Sequence, residues 1–217
     1  MIICGTLCSL WTIGKITKTF RLHTAATIAN EPTINPKSKF FSSNLVTPKL
    51  FDFICFNIPD SNSNAEFVFR VCGQENDIVE IKHGDLYVNN ILRDTQFKLI
   101  QLYSISQREY EKIEYSTDID KEMLFSRTRD SLTFALEKRF LRENKMEWNR
   151  KILSTDFIDD EISVKFSKNW NQDNFGPIKV PSNSYFVLGD NRYNALDSRY
   201  LGFIKKENVT STVLWTK

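Results

Sequence analysis

Apolar positions along this chain fall mostly into short runs broken by polar turns, with one longer exception at the start. Residues 1–13, MIICGTLCSLWTI, are continuously apolar or neutral, and Lys15, Lys18 and Arg21 follow them. From Leu50 the runs have strand length. LFDFICFN and AEFVFRVC are rich in aromatic and β-branched residues and flank the turn-forming stretch IPDSNSN, which predicts an antiparallel hairpin. DIVEIKHGDLYVNN predicts a second, tighter one, with His83 and Gly84 as its turn and Gly supplying positive φ. His83 is therefore a turn residue rather than a base. Further strands are expected near Ile162 to Phe166, over Tyr185 to Leu188 and over Val209 to Trp215.

Ser104 to Leu153 reads differently, being charged and free of Gly and Pro. Ser106 with Glu109 fits a capping box, and Leu132, Ala135, Leu136 and Phe140 fall at helical spacing, so a helical insertion over about 104–153 is expected. The predicted fold is one mainly β domain carrying that insertion and a short N-terminal apolar helix.

Composition narrows the function classes. With 41% hydrophobic and 26% charged residues the chain is an ordinary folded protein. A net charge of +2 from 29 basic and 27 acidic residues, with no like-charge block, argues against nucleic acid as a partner. Cys4, Cys8, Cys55 and Cys72 form neither a CxxC pair nor a set with a His pair, so no metal and no cofactor is expected. A disulfide between Cys55 and Cys72 is geometrically conceivable, and buried free thiols are the simpler expectation. As a helix, residues 1–13 span about 20 Å, and Gly14 to Ile16 extend this to about 24 Å against a hydrocarbon layer of about 30 Å. A short membrane anchor over 1–16 is expected, with a cleaved secretory signal and a buried helix as competing readings. The basic residues after it favour a cytoplasmic C-terminal side.

Four segments in order resemble the boxes of the type I signal peptidases, membrane proteases that remove signal peptides with a Ser/Lys dyad. The family pattern GDNRxxSxDSRxxGF reads here as Gly189, Asp190, Asn191, Arg192, then Ala195, Asp197, Ser198, Arg199, Gly202 and Phe203. GPIKVPSNSYFVL before it resembles GPVxVPxGxYFVM. The stretch Phe69 to Asn89 resembles KRVIGxPGDxVEIKxGxLYVN, FDFICF resembles GDIVVF, and TIANEPTI resembles SGSMEPTL. The resemblance covers roughly residues 15–90 and 170–217.

Such a family needs a serine hydroxyl activated by a neutral lysine, a second hydroxyl that holds the amine, and a Ser or Thr that helps bind the oxyanion. By the resemblance, the nucleophile position is Ala29, the base position Phe69 and the supporting-hydroxyl position Ala195. Thr27 alone retains a catalytic group, at the oxyanion position. A rescue would have Thr27 attack with His23 or Lys82 as base; the plainer reading makes Thr27 a strand hydroxyl satisfied by backbone and His23 a surface or membrane-edge residue. Asp190, Asn191, Arg192, Asp197, Ser198 and Arg199 are expected to fix a loop against the core. Glu75 and Asn76 stand where the family has Pro and Gly, which leaves that turn open.

The resemblance implies an antiparallel β domain with coiled-barrel character over 17–217. It also implies a single N-terminal anchor in the cell inner membrane, with the domain on the outer, periplasmic face, opposite to the reading of the basic residues. The expected function is a dyad-less, signal-peptidase-like protein that binds signal or export peptides, preproteins or an active signal peptidase. The alternatives are an active signal peptidase, a serine-type endopeptidase of signal peptide processing that uses relocated residues such as Thr27, and an assembly protein of the envelope.

Overall fold

A computed structural model describes residues 19–59, 65–113 and 123–216. The expected anchor over 1–16, with Cys4 and Cys8, lies outside the described residues, and no described helix is long and apolar enough to cross a membrane. The strands are β1 (Phe20–Thr24), β2 (Lys39–Ser43), β3 (Phe53–Asn57), β4 (Glu66–Gly73), β5 (Ile78–Lys82), β6 (Asp85–Val88), β7 (Ile91–Leu92) and β8 (Ile100–Ser106). They continue as β9 (Leu124–Arg127), β10 (Ser131–Glu137), β11 (Asn149–Arg150), β12 (Phe175–Lys179), β13 (Ser184–Leu188), β14 (Ile204–Lys205) and β15 (Val209–Thr216). Among the described residues four short α-helices interrupt them: α1 (Gln107–Ile113), α2 (Lys138–Glu143), α3 (Asp160–Phe166) and α4 (Ser198–Leu201).

The fold is mainly antiparallel β. A seven-stranded sheet runs β1-β2-β15-β3-β4-β13-β14, and two four-stranded sheets run β12-β5-β6-β7 and β11-β8-β10-β9. Both expected hairpins form: Phe53 to Asn57 pair with Arg70 to Glu66, and Val79 to Lys82 pair with Val88 to Asp85. His83 and Gly84 both take positive φ, 49° and 77°, as a two-residue turn matched to strand twist requires. Asn76 takes φ 71° where the family has Gly, a conformation that Asn tolerates. Its neighbour Glu75 accepts from Asn183 N and Lys206 Nζ, both at 3.0 Å, so the turn is tied down by polar contacts.

The insertion corrects the sequence reading. Over 104–153 the capping box does form, since Ser106 Oγ accepts from Glu109 N and Glu109 Oε2 accepts from Ser106 N, but α1 lasts two turns. Leu132 and Leu136 lie on strand β10, together with Phe134, and alternate residues of that strand enter one apolar cluster with Tyr103 and Ile105 of β8. Period two, not 3.6, governs the stretch. Ile162 to Phe166 is helical rather than extended, because Asp159 Oδ1 accepts from Glu161 N and Ile162 N and starts a helix there.

Alternation along β4 splits its side chains between two environments. Phe69 and Val71 join Ile54, Phe56 and Val187 in one core cluster, while Val68 packs against another that contains Phe40, Phe53 and Cys55. Cys55 and Cys72 are buried free thiols.

The last motif is a buried ion-pair network. Arg199 grips Asp197 with Nε–Oδ1 and Nη2–Oδ2 contacts of 2.9 and 2.8 Å, and donates to the Arg192 carbonyl. Arg192 grips Asp94 with contacts of 2.7 and 2.5 Å. Burial alone would lower both guanidinium pKa values; the paired carboxylates reverse this and raise them. Asp197 Oδ2 also accepts from Gly189 N, and Ser198 Oγ accepts from Val187 N, so the motif holds the end of β13 in place. Asp197→Ala strips the carboxylate from a fully buried guanidinium and is expected to cost about 3–5 kcal/mol in urea denaturation. The double replacement Asp197→Ala with Arg199→Met should cost less than that single change.

Candidate functional site

Three segments meet at Gly189. A methyl group built on its Cα would lie 2.4 Å from Ala195 Cβ, 2.5 Å from the Ala29 carbonyl oxygen and 3.3 Å from Phe69 Cε1. The positions that the resemblance assigned to nucleophile, base and supporting hydroxyl are thus brought to one point by three separate parts of the chain. Ala29 lies in the turns after β1, Phe69 on β4, and Ala195 between β13 and α4.

Polar contacts around this point set its geometry. Asp190 accepts from Arg70 Nε and Nη2 at 2.8 and 2.5 Å and from Thr33 Oγ1, so one carboxylate joins the EPT turn, β4 and the last motif. Arg70 lies over the rings of Phe53 and Phe97, 4.2 and 4.5 Å from their centroids. Asn191 N donates to the Ala29 carbonyl at 3.1 Å. The centre itself is apolar: Ala29, Phe69 and Ala195 are 6%, 4% and 7% exposed and belong to one hydrophobic cluster with Phe56 and Val187. Two methyl groups and a benzyl group offer neither an attacking lone pair nor a proton acceptor.

Thr27 stands exposed at a bend, not on a strand, and its Oγ1 accepts from Ala29 N at 3.4 Å. The two bases suggested for it are engaged elsewhere. Lys82 pairs with Glu80 at 2.9 Å. His23 is half-buried rather than a surface residue: its Nε2 lies 2.7 Å from Ser42 Oγ and its Nδ1 3.2 Å from Glu66 Oε2. Ser42, His23 and Glu66 therefore line up as hydroxyl, imidazole and carboxylate, an arrangement that sequence spacing did not reveal. Ser42 is 0% exposed, so its oxygen reaches no substrate carbonyl, and the array is a structural one.

Beside the filled centre a groove of about 350 Å³ stays open. Residues 23–27 form one wall and residues 65–69 the other, with Asn30 at the base, where its Nδ2 donates to the Val68 carbonyl at 2.6 Å. At one end Arg21 and His23 of β1 reach across to Glu66 of β4, with Arg21 Nη1 2.9 Å from Oε1. Burial raises the Glu66 pKa, but hydrogen bonds from His23 and Thr210 and the charges of His23 and Arg21 outweigh it and leave the carboxyl below its ordinary value.

This chain is similar in sequence to known proteins of one family. The family model described as "Signal peptidase, peptidase S26" matches residues 3–216. Signal peptidase I of Buchnera aphidicola subsp. Baizongia pistaciae is 28% identical over 186 residues, 81% of this chain and 58% of that protein. Signal peptidase I of Aquifex aeolicus is 26% identical over 194 residues, 86% of this chain and 71% of that protein. Signal peptidase I S of Bacillus subtilis is 56% identical over 41 residues, 18% of this chain and 22% of that protein. A crystal structure of a signal peptidase I from Enterococcus faecalis is 19% identical, covering 78% of this chain and 98% of that one with a TM-score of 0.37.

Gly189→Ala should destabilise the protein by roughly 1–3 kcal/mol in urea denaturation. Adding Ala195→Gly should recover only part of that, because the Ala29 carbonyl still obstructs. The Glu66 carboxyl, depressed in the folded state, contributes stability that is complete above its ordinary value of 4.5 and is lost as pH falls through the lower folded value. Thermal denaturation below pH 4.5 should therefore fall away more steeply for the parent than for Glu66→Gln.

Proposed function

From the premise that this chain belongs to the signal peptidase family, peptidase S26, we propose that it acts by binding extended peptides rather than by cutting them. The observation that carries the reading is the pairing of a filled apolar centre at Ala29, Phe69 and Ala195 with an open groove directly beside it. An incoming peptide has two roughly facing chain segments to pair with, residues 23–27 and 65–69, and strand addition uses backbone hydrogen bonds that tolerate many sequences. Signal and export peptides of preproteins are the natural class of ligand, since the small side chains of Ala25 and Ala26 leave room for an extended backbone.

Loss of nucleophile and base together leaves at most about 10³–10⁴ over uncatalysed hydrolysis, by analogy with serine protease knockouts. Residues 1–16 serve as a membrane anchor in this reading, with the domain on the outer face of the inner membrane. Phe20 and Leu22, exposed on the edge strand just beyond that stretch, support contact with the lipid surface.

Fluorescence anisotropy with a labelled peptide that spans a signal-peptide cleavage segment tests the proposal. Saturable binding is expected, weakened at least tenfold by Ala26→Trp, which fills the groove. Mass spectrometry of the same mixture should show intact peptide. Turnover that disappears in Thr27→Ala would establish a relocated peptidase instead.

A further inference from the structure

Three donors of different chemistry converge on β4 at the groove's end, at Glu66, three residues before Phe69. His23 of β1, Cys55 of β3 and Glu66 of β4 bring an imidazole nitrogen, a sulfur and a carboxylate oxygen within 4.8 Å of one another. Cys55 pairs across the ladder with Val68, and Glu66 precedes Val68 by two, so sulfur and carboxylate share a face of the sheet. The curl of the sheet then delivers His23 to the same place, three strands away in order.

The surroundings hold each donor as a ligand needs to be held. His23 stacks on Phe40 with centroids 4.9 Å apart and planes 8° from parallel, and Ser42 Oγ engages its Nε2, which leaves Nδ1 facing Glu66. Glu66 Oε1 is held by Arg21 and Thr210, and Oε2 faces that Nδ1 at 3.2 Å as its hydrogen-bond partner, the contact that an ion would replace. The Cys55 thiol is enclosed, beside the Ser211 and Ser42 hydroxyls, of which Ser211 Oγ donates to Ser42 Oγ at 2.7 Å. Outer contacts of this kind, fixing the ring and orienting the carboxylate, are what metal-binding side chains characteristically have. Donor separations of 3.2 to 4.8 Å bracket the edges of about 3.3–3.8 Å that a tetrahedron with zinc-type bond lengths requires.

We propose that His23, Cys55 and Glu66 bind one divalent ion of the zinc class, with a fourth coordination position open toward the groove. Nitrogen, sulfur and oxygen together suit a borderline-soft ion rather than calcium or magnesium. On binding, Cys55 S–H gives its proton to solvent and the thiolate lone pair forms the bond to the ion. The imidazole stays neutral: its ring proton leaves Nδ1 and is carried on Nε2, from which it is donated as a hydrogen bond to Ser42 Oγ. The double positive charge is balanced by thiolate and carboxylate, and Arg21 keeps its contact with Oε1. Burial pushes the free thiol up to about 12, so the ion has to compete with that proton.

The test is a titration with Co²⁺ and then Zn²⁺ of protein in which Cys4, Cys8 and Cys72 are replaced by Ser, Ser and Ala, leaving Cys55 the sole thiol. Circular dichroism confirms its fold. One equivalent of Co²⁺ should produce an intense near-ultraviolet thiolate-to-cobalt band that Zn²⁺ abolishes. His23→Gln should weaken Co²⁺ binding more than tenfold, and Ser42→Ala by about tenfold. Absence of the band in the folded protein overturns the proposal, as does a band of unchanged affinity in His23→Gln. If the triple replacement does not fold, the comparison of parent with Cys55→Ser decides by the same two criteria.

Discussion

The carboxylate of Asp190 and the guanidinium of Arg70 form the contact on which the rest of this structure turns. Both are buried, and a buried charge pair of this kind is kept only where its remaining hydrogen-bond capacity is met. Thr33 and the Phe51 carbonyl meet it, and the rings of Phe53 and Phe97 lie against the guanidinium. Because Thr33, Arg70 and Asp190 come from three distant segments, satisfying one pair fixes the EPT turn, the middle of β4 and the end of β13 together. Phe69 and Gly189 directly precede two members of this set, and Ala29 is held to the same place by Asn191 N on its carbonyl, so their convergence follows from polar contacts and needs no catalytic chemistry to maintain it.

That separation explains how the motifs stay recognisable when the reactive groups are absent. Arg192 with Asp94, Arg199 with Asp197 and Ser198 with Val187 N are structural interactions, and each would be costly to break whether or not a peptide bond is ever hydrolysed. Hydroxyl and amine, by contrast, contribute nothing to packing that a methyl and a benzyl group cannot supply. In this chain Phe69 fills its place well, tilted against Phe56 with ring centroids 6.2 Å apart.

Much of the β framework was legible in the sequence because its strands are short aromatic and β-branched runs and its turns carry the residues their backbone angles require, as His83 and Gly84 do. The insertion was not. Leu132 and Leu136 satisfy a helical spacing and a strand spacing equally, since four is a multiple of two and close to 3.6, and Phe134 between them was the residue that distinguished the two. Lack of Gly and Pro also misled, because a strand needs neither. The three positions of the filled centre were readable by their neighbours in motifs. The grouping of His23, Cys55 and Glu66 was not, since no local spacing encodes a meeting that depends on the curl of a whole sheet.

Between β1 and β4 the sheet closes through side chains: Arg21 and His23 on one side, Glu66 on the other, and Asn30 on the Val68 carbonyl. Ladder hydrogen bonds lock strand spacing near 4.8 Å, whereas side-chain bridges stretch and rotate. Beside the apolar centre, then, β1 and β4 are joined by a line of side-chain contacts rather than by a ladder, and that line lacks the fixed spacing that backbone pairing imposes on the strands elsewhere in the sheet.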